Sequence, residues 1–400
     1  MHRLFRPKLN CGFPEVLVSI LLPVFNASRH LPLALGSLQL QSHDELEIIA
    51  IDDGSTDGSA GILRRAAASD TRIRVVEREN RGLIHTLNEG LDLARGDFIA
   101  RMDADDIAYR ERISTQLAAF AAEPGLAMCG THFDTIVPRG AALPQSKPDV
   151  TESRELRVLS RFCTILRHPT VMFRRSAIPD GELRYDPAYP CAEDFELFNR
   201  IAEICPVRQL EAPLLAYRLH PDSVSVTRAA TLRATHVRFL EENLARHYPE
   251  AAGTGFTALA AQVTPDAISA AADLLRRLDA LLPHQPPEDR RAFTIGQRVT
   301  LYFLYAWLVD LQEFSAARHF VEASGKQGMF RRSERAVLGL VGSQPALARG
   351  LWSALVARGE IIGALQNRKL TSVVPDIGAI ERQAATLTMG APPAVSSEGA

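Results

Sequence analysis

The fold of this chain is decided by one stretch, Phe98-Ile99-Ala100-Arg101-Met102-Asp103-Ala104-Asp105-Asp106. Its first part is mostly apolar and predicts a buried β-strand. Three carboxylates then crowd into four residues, and their repulsion costs roughly 1 kcal/mol per close pair even in water. Mg²⁺ or Mn²⁺ would remove that cost, because both prefer oxygen ligands. The stretch therefore predicts a strand ending in a metal site; the alternative is a solvated acidic turn before a helix at Arg110–Ala122.

The sequence before this stretch alternates short apolar runs with helical patterns. Strands are predicted at Val16–Val24, Leu46–Ile51, Ile73–Val76 and Phe98–Met102, and helices at about Ser28–Gln41, after Asp57 and at Gly82–Ala94. This alternation predicts an α/β fold with a mixed, mainly parallel sheet flanked by helices. Ligands bind beyond the carboxyl ends of such strands. Asp52-Asp53 and Asp103–Asp106 both lie where a ligand site is expected.

A second unit is indicated by the change of composition after residue 226. Helical patterns rich in Ala, Leu and Arg cover Ala230–His247, Asp266–Leu282, Asp289–Leu311, Ser315–Ala323, Arg332–Leu340, Ala346–Arg358 and roughly Pro375–Leu387. We predict four parts: an N-terminal extension (1–15), an α/β domain (16–226), an all-α extension (227–388) and a disordered tail (389–400). The aromatic residues of Val299–Leu311 indicate either an internal helix core or a surface for a membrane or partner.

Composition narrows the possible functions. The 400 residues carry a formal net charge of −2, with 46% hydrophobic and 23% charged residues, so we expect a folded protein with no nucleic acid partner. The five cysteines form no CxxC pair, which indicates neither a zinc site nor a disulfide framework and suits a reducing compartment. Without a signal-like or membrane-spanning apolar run, a cytoplasmic location is expected.

Other ligand-binding motifs fail at essential positions. A calcium loop beginning at Asp53 needs a glutamate where Arg64 stands, and one beginning at Asp103 needs a glycine where Ala108 stands. The chain has no GxxxxGK phosphate loop, and Gly253-Thr254-Gly255 does not follow a predicted strand. Neither an EF-hand nor a P-loop function is therefore expected.

Seven segments, in order along the chain, resemble the inverting family 2 glycosyltransferases of bacteria, which have the GT-A fold. They are Leu22–Ala27, Ile51–Gly58, Glu79–Gly82 with Leu87–Gly90, Ala100–Asp106, His168–Phe173, Ala192–Asp194 and Arg218–Ser225. The resemblance covers about 16–225. Each segment is weak by itself, whereas seven in the same order are not expected by chance.

The resemblance implies roles for particular residues. The implied donor-binding residues are Pro23, Phe25, Asn26, Asp53, Asn80 and Asp103, with Asp53 accepting a hydrogen bond from the base, most often uracil. Asp105 and His220 are the implied metal ligands, with Mn²⁺ or Mg²⁺ as the cofactor. Asp194 is the implied base that takes a proton from the acceptor hydroxyl. Two alternatives stay open: Glu193-Asp194 as charges at a helix start, and His220 as an ordinary surface or core histidine.

The function implied by this resemblance is metal-dependent, inverting hexosyl transfer. The donor would be a nucleotide-diphosphate sugar, most often a UDP-sugar, and the acceptor a hydroxyl of a saccharide or lipid-linked molecule in surface polysaccharide or glycolipid synthesis. Peripheral contact with the inner face of the cell membrane would involve the helical extension. The alternatives are a nucleotidyltransferase, whose usual glycine-rich basic loop is absent from Leu22–Ala27, and a catalytically silent nucleotide- or carbohydrate-binding module.

Overall fold

The computed structural model describes residues 16–136, 141–144, 148–221, 223–330, 332–340, 347, 350–351, 368–369, 374 and 376–388. The strands are β1 (Val18–Val24), β2 (Leu46–Asp53), β3 (Ile73–Arg78), β4 (Phe98–Arg101), β5 (Ile107–Ala108), β6 (Met128–Ile136), β7 (Ala141–Pro144), β8 (Met172–Arg174), β9 (Val207–Arg218) and β10 (Arg368–Lys369). The helices are α1 (Leu31–Gln39), α2 (Ser59–Ser69), α3 (Leu83–Leu93), α4 (Arg112–Ala122), α5 (Ser153–Leu159), α6 (Glu193–Ile204), α7 (Val224–Thr227), α8 (Ala229–His247), α9 (Gly255–Ala261), α10 (Pro265–Leu281), α11 (Arg290–Asp310), α12 (Phe314–Ala323), α13 (Arg332–Leu340) and α14 (Ile377–Thr388).

The described strands form one mixed sheet in the order β10-β7-β6-β8-β4-β1-β2-β3, and β9 pairs with β5 and β6. β1 lies parallel between β2 and β4, and β3 is parallel to β2. Beyond the acidic stretch the pattern changes, because β8 runs antiparallel to both β4 and β6. The predicted mixed α/β sheet flanked by helices is confirmed. Its parallel half is the βαβ part of the sequence, and the other half contains most of the antiparallel pairs.

Helices cover both faces of the parallel half because its strands are apolar on both sides. Ile20 and Leu22 of β1 lie in a core shared with α1, α2 and α4, whereas Leu21 lies in the core on the opposite face with α3 and α6. This alternation is the period of two expected for a strand buried on both sides. It leaves the carboxyl ends of β1, β2 and β4 at one edge, where the chain turns into polar loops.

The helical region after β9 is packed around its own apolar core. Tyr305 and Trp307 are 2% and 7% exposed, and Tyr302 and Phe303 pack against the same core. The aromatic part of α11 is therefore internal, as the first of the two interpretations predicts. No helix among the described residues combines the length and the apolar composition needed to cross a bilayer. The predicted helix Ala346–Arg358 lies outside the described residues except at 347, 350 and 351, and the two predicted terminal segments lie outside them entirely.

The α/β part and the helical part are joined by shared apolar contacts. Phe162 and Phe195, both before residue 226, belong to the same core cluster as the helical region. Conversely α14, near the end of the chain, packs beside β5: Ile377 and Ile380 share a cluster with Ile107. The division into domains at residue 226 stays a prediction, because apolar side chains from both sides of it occupy common cores.

Candidate active site

The loop after β1 is held against the loop after β2 by Asn26. Its backbone N–H donates to Ser55 Oγ over 2.9 Å, and its side-chain oxygen accepts from the Thr56 backbone N–H over 2.8 Å. Asn26 has a positive φ of 48°, a conformation that asparagine tolerates better than most residues. Asn26 thus shapes the loop that presents Pro23 and Phe25, and its donor-binding role stays a prediction. The Phe25 ring is 53% exposed and free to pack on a ligand.

The Asp53 carboxylate is buried and already has several partners. It pairs with the Arg78 guanidinium and accepts from the backbone N–H groups of Arg81 and Gly82, over 2.8 and 2.9 Å. A carboxylate offers about four acceptor sites, so one is left for the N–H of a base. Asp53 thus positions the turn after β3, where the predicted donor-binding residue Asn80 is exposed.

This turn can approach so closely because residue 54 is a glycine. Gly54 has a φ of +77°, and a Cβ there would lie 2.7 Å from the backbone nitrogen of Asn80. The left-handed conformation and the close approach both favour glycine. The Asp-Asp-Gly-Ser pattern is therefore a packing requirement as well as part of a binding loop.

The three carboxylates of the acidic stretch lie together at the end of β4. Oxygens of Asp103, Asp105 and Asp106 are within 4.8 Å of one another. His220 joins them, since its Nε2 is 2.7 Å from Asp105 Oδ2. Asp106 Oδ1 accepts from the Arg218 backbone N–H over 2.8 Å, but Oδ2 is buried without a hydrogen-bond partner among the described residues. A buried, unsatisfied carboxylate oxygen beside two further carboxylates is the donor set that a hard divalent cation requires.

Two buried arginines lie beneath this stretch. The Arg101 guanidinium is 3% exposed and contacts both oxygens of Asp103 at 2.6 Å. Arg112 is fully buried and donates to the Arg101 carbonyl over 2.7 Å. Burial, together with the charges of neighbouring carboxylates, raises the pKa of Asp103 and raises the pKa of Asp106 strongly, and the charge of Arg101 offsets only part of this effect. The residues thus fit a divalent cation, with Asp103, Asp105, Asp106 and His220 as the groups that could hold it.

Asp194 lies in the first turn of α6 beside Thr164. Its Oδ1 accepts from the Phe195 backbone N–H over 2.8 Å, and its Oδ2 accepts from Thr164 Oγ1 over 3.3 Å. Burial raises the pKa of this carboxyl, while the Phe195 amide and the charge of Arg101 lower it in part. A base with a raised pKa is better matched to proton abstraction near neutral pH than an ordinary aspartate.

The neighbouring Glu193 is the less accessible of the two carboxyls. It is 6% exposed, and burial together with the charge of Asp194 raises its pKa to about 7. Its Oε1 is 4.0 Å from His168 Nδ1. His168 is buried in turn, with Nε2 2.8 Å from the Tyr185 hydroxyl, so its role is structural and it is not a ligand of the site. The half-buried Asp194 therefore remains the candidate base.

The structure adds residues that sequence analysis did not place in the site. They are Arg112, Thr164, Arg167 and Arg218, together with His30, whose ring centroid is 5.7 Å from that of His220. Arg218 begins the Arg218–Ser225 segment, and the others stand in no recognisable motif. They reach the site through contacts between distant segments, for which the sequence carries no local signal.

Comparison with known proteins gives a family match and several relatives. The model of the family described as "Glycosyl transferase family 2" matches residues 19–181. An uncharacterized glycosyltransferase of Haemophilus influenzae is 26% identical over 236 residues, which are 57% of this chain and 73% of that protein. Chondroitin synthase of Escherichia coli is 25% identical over 232 residues, which are 58% of this chain but only 33% of the synthase.

Among solved structures, S. aureus TarS 1-349 in complex with UDP is similar. The likeness covers 79% of this chain and 93% of that one, with 18% sequence identity and a TM-score of 0.47. The family model matches only part of the α/β region, because it ends at residue 181, before α6. The candidate base at the start of α6 thus lies just beyond the matched region.

Proposed function

The chain belongs to glycosyl transferase family 2, and from this membership we propose that it transfers a sugar from a UDP-sugar to an acceptor hydroxyl with inversion, using Mn²⁺ or Mg²⁺. The observation that carries the proposal is the placement of Asp103, Asp105 and Asp106 within 4.8 Å at the end of β4. Family membership favours glycosyl transfer over the nucleotidyltransferase alternative. The juxtaposed carboxylates argue against a catalytically silent module, which would not need them.

The proposed chemistry needs one base and one leaving group on opposite sides of the anomeric carbon. Asp194 takes the proton of the acceptor hydroxyl while that oxygen bonds to the anomeric carbon. The bond from this carbon to the diphosphate breaks, and its electron pair leaves with the nucleotide. Attack from the side opposite the leaving group inverts the anomeric centre.

The donor would be held by groups at the ends of β1 to β4. The Phe25 ring and the free acceptor site of Asp53 would contact the base, and Asp103 the ribose or the metal. Asp105 and His220 would hold a divalent cation, which when bound balances the negative charge developing on the departing nucleotide. The Arg101 guanidinium fixes the orientation of Asp103 through two contacts of 2.6 Å.

A donor panel tests the proposal directly. The purified full chain is incubated with several UDP-sugars and, for comparison, GDP-mannose, with Mn²⁺, Mg²⁺ or EDTA, and release of the nucleotide is measured. We expect metal-dependent release from at least one UDP-sugar. If no donor is hydrolysed or transferred and no nucleotide binds in a metal-dependent way, the proposed function is wrong.

Two substitutions separate donor binding from catalysis. We expect Asp194→Asn to bind the UDP-sugar normally but to lose about 10²- to 10⁴-fold in kcat, the usual contribution of a general base. Asp105→Asn should lose both metal-dependent nucleotide binding and transfer. Calorimetric titration with UDP and Mn²⁺ measures binding, and initial rates measure transfer. Asp92→Asn, at an exposed carboxylate paired with Arg184, is the control. Normal turnover by Asp194→Asn would refute the role of Asp194 as the base.

The acceptor is proposed to be a saccharide or a lipid-linked molecule used to build a surface polysaccharide or glycolipid. With a lipid-linked acceptor, transfer would take place at the inner face of the cell membrane. Co-sedimentation of the full chain with anionic and with neutral liposomes tests this location. Failure to sediment with either would limit the proposal to a saccharide acceptor in solution.

A further inference from the structure

Arg167 is an exposed arginine whose guanidinium packs against two aromatic rings. Its Cζ lies 4.9 Å from the ring centroid of Phe133 and 4.9 Å from that of Tyr217. The two rings contact each other edge to face, with centroids 6.0 Å apart. Because the two ring centroids are this close to each other, both rings lie on the same side of the guanidinium, and the N–H groups directed away from them stay free. The side chain is therefore positioned in advance of any ligand.

This arginine lies between the candidate base and the metal-binding stretch. Thr164, three residues before it, contacts Asp194 over 3.3 Å, and His168, the next residue, approaches Glu193. On the other side, Tyr217 immediately precedes Arg218, whose backbone N–H donates to Asp106 over 2.8 Å. The segment carrying Arg167 thus touches the α6 carboxylates, and the ring beneath its guanidinium belongs to the strand that touches the acidic stretch.

Arg167 has no carboxylate partner among the described residues, unlike three other arginines of this part of the chain. Arg101 contacts Asp103, Arg78 contacts Asp53 and Glu89, and Arg161 contacts Glu203. The Arg167 charge acts on Asp194 only as one of several influences that lower the pKa of this carboxyl against the larger effect of burial. Its N–H edge is free to bind an external anion.

Five carboxyl groups lie in this part of the site: Asp103, Asp105 and Asp106 at the end of β4, and Glu193 and Asp194 at the start of α6, close enough to interact electrostatically with Asp103. A neutral acceptor could approach them without a cation, whereas an anionic acceptor would be repelled unless a fixed positive charge met it. We propose that Arg167 binds an anionic group of the acceptor, a carboxylate or a phosphate, and so selects acidic acceptors. This inference rests on the proposed glycosyl transfer and names the chemical class of its acceptor.

Acceptor probes of different charge test the inference. Methyl β-D-glucuronide and glycerol 3-phosphate carry a carboxylate and a phosphate, and methyl β-D-glucoside is neutral. With a UDP-sugar and Mn²⁺, we expect the full chain to use one of the acidic probes in preference to the glucoside. Arg167→Met should raise the KM for that probe about tenfold or more, since it removes hydrogen bonds to a charged group, while the KM for the donor stays unchanged. The KM of Arg167→Lys for the acidic probe should lie between those of the unaltered protein and Arg167→Met.

Arg238→Met is the matched control, because Arg238 lies 4.8 Å from the Tyr189 ring but outside the acidic cleft. Its acceptor KM should equal that of the unaltered protein. The inference is overturned if the neutral glucoside is used as well as the acidic probes, or if Arg167→Met raises the KM for the donor instead of the acceptor.

A binding readout keeps this result separate from the proposed function. Saturation-transfer NMR with the same probes needs no turnover. If no donor is consumed, the proposed glycosyl transfer fails, yet binding of glucuronide or glycerol phosphate that is lost in Arg167→Met still supports an anion site. Equal signals from the glucuronide and the glucoside, or signals unaffected by Arg167→Met, would show that Arg167 does not form an anion site.

Discussion

Glu193 and Asp194 are adjacent residues in different environments. Glu193 is 6% exposed and points towards the buried His168, whereas Asp194 is half-buried and accepts hydrogen bonds from Thr164 and the Phe195 amide. Both carboxyls have a raised pKa because of burial. In the α6 N-terminal turn their charges are also favourable to the helix. The helix start therefore stabilises the pair, and burial decides how readily each member ionises.

A pH-dependent stability follows for Glu193. Its pKa of about 7 in the folded chain exceeds the ordinary value of 4.5, so between these values the folded state holds a proton that the unfolded state releases. Stability contributed by this group is present at low pH and is lost as pH rises through the folded pKa. Glu193→Gln has no such loss, so its free energy of unfolding relative to the unaltered protein should increase with pH, by at most about 1.4 kcal/mol per unit.

Urea unfolding of both proteins in EDTA, at several pH values from 4.5 to 8, measures this difference. Glu250→Gln, at an exposed glutamate of the helical region, should show a constant difference over the same range. A difference that is independent of pH for Glu193→Gln as well would mean that the pKa of Glu193 is the same in the folded and the unfolded chain.

The site's acidic residues could be predicted from sequence, but their partners could not. Asp53, Asp105 and Asp194 stand in short motifs at strand ends or helix starts, which are local properties. Asp53 has Arg78 and the backbone N–H groups of Arg81 and Gly82 as partners, and these contacts depend on how two loops meet. Arg167 likewise packs against rings from two strands, Phe133 of β6 and Tyr217 of β9. No spacing in the sequence predicts that contact.

At the level of elements, helix α14 packs against the α/β part of the chain and contacts α1, α2 and β5. It packs against α1, where Gly36 allows close approach: a Cβ there would lie 3.1 Å from the Ile380 carbonyl oxygen. Arg65 of α2 donates to the Leu387 carbonyl over 2.6 Å. Ile380 shares its apolar cluster with Ile107 and Tyr109. These two residues directly follow the acidic stretch, so α14 supports the segment that carries the candidate metal ligands.

Ile380→Asp should therefore affect the candidate metal site without touching it. An unpaired carboxylate at this buried position costs at least about 2 kcal/mol, which undocks α14 and exposes Ile107 and Tyr109. We expect a lower midpoint of urea unfolding, faster amide exchange in α1 and weaker Mn²⁺-dependent binding of UDP. Ala385→Asp introduces the same charge on the exposed face of α14 and should be neutral. Equal behaviour of the two variants would show that α14 does not support the site.

The element that sequence patterns missed most clearly is β9. Pro213 stands in the middle of it, and a proline within an apolar run argues against a strand because it cannot donate to the ladder. The structure resolves this conflict with irregular pairing: Pro213 lies opposite His132, between two register shifts of the β6–β9 ladder. Alternating strands and helices near the N-terminus were predictable by contrast, because each follows a local period.

For the whole molecule, the decisive contact is between α11 and the segment after α5. A Cβ at Gly296 would lie 2.3 Å from Phe162 Cδ2, so the aromatic ring packs directly on the helix backbone. Phe162 also meets Phe293 edge to face, with centroids 5.2 Å apart. The core that contains this contact also contains Phe195, next to the candidate base. Removing the chain after Thr227 would expose these rings, so experiments on acceptor or membrane binding require the full chain.

We expect the α/β and helical parts to unfold together, and Gly296→Leu to weaken their contact. The larger side chain must displace Phe162, which is confined by Phe293 and Tyr248; such overpacking typically costs about 1–3 kcal/mol. The gain of about 1 kcal/mol in helix propensity offsets part of this. Scanning calorimetry should show a single transition for the unaltered protein and a lower Tm for Gly296→Leu. Gly339→Leu, in α13 where a Cβ meets nothing within 4 Å, is the control and should keep or raise the Tm. An unchanged or raised Tm for Gly296→Leu would show that the contact between Gly296 and Phe162 does not hold the two parts together.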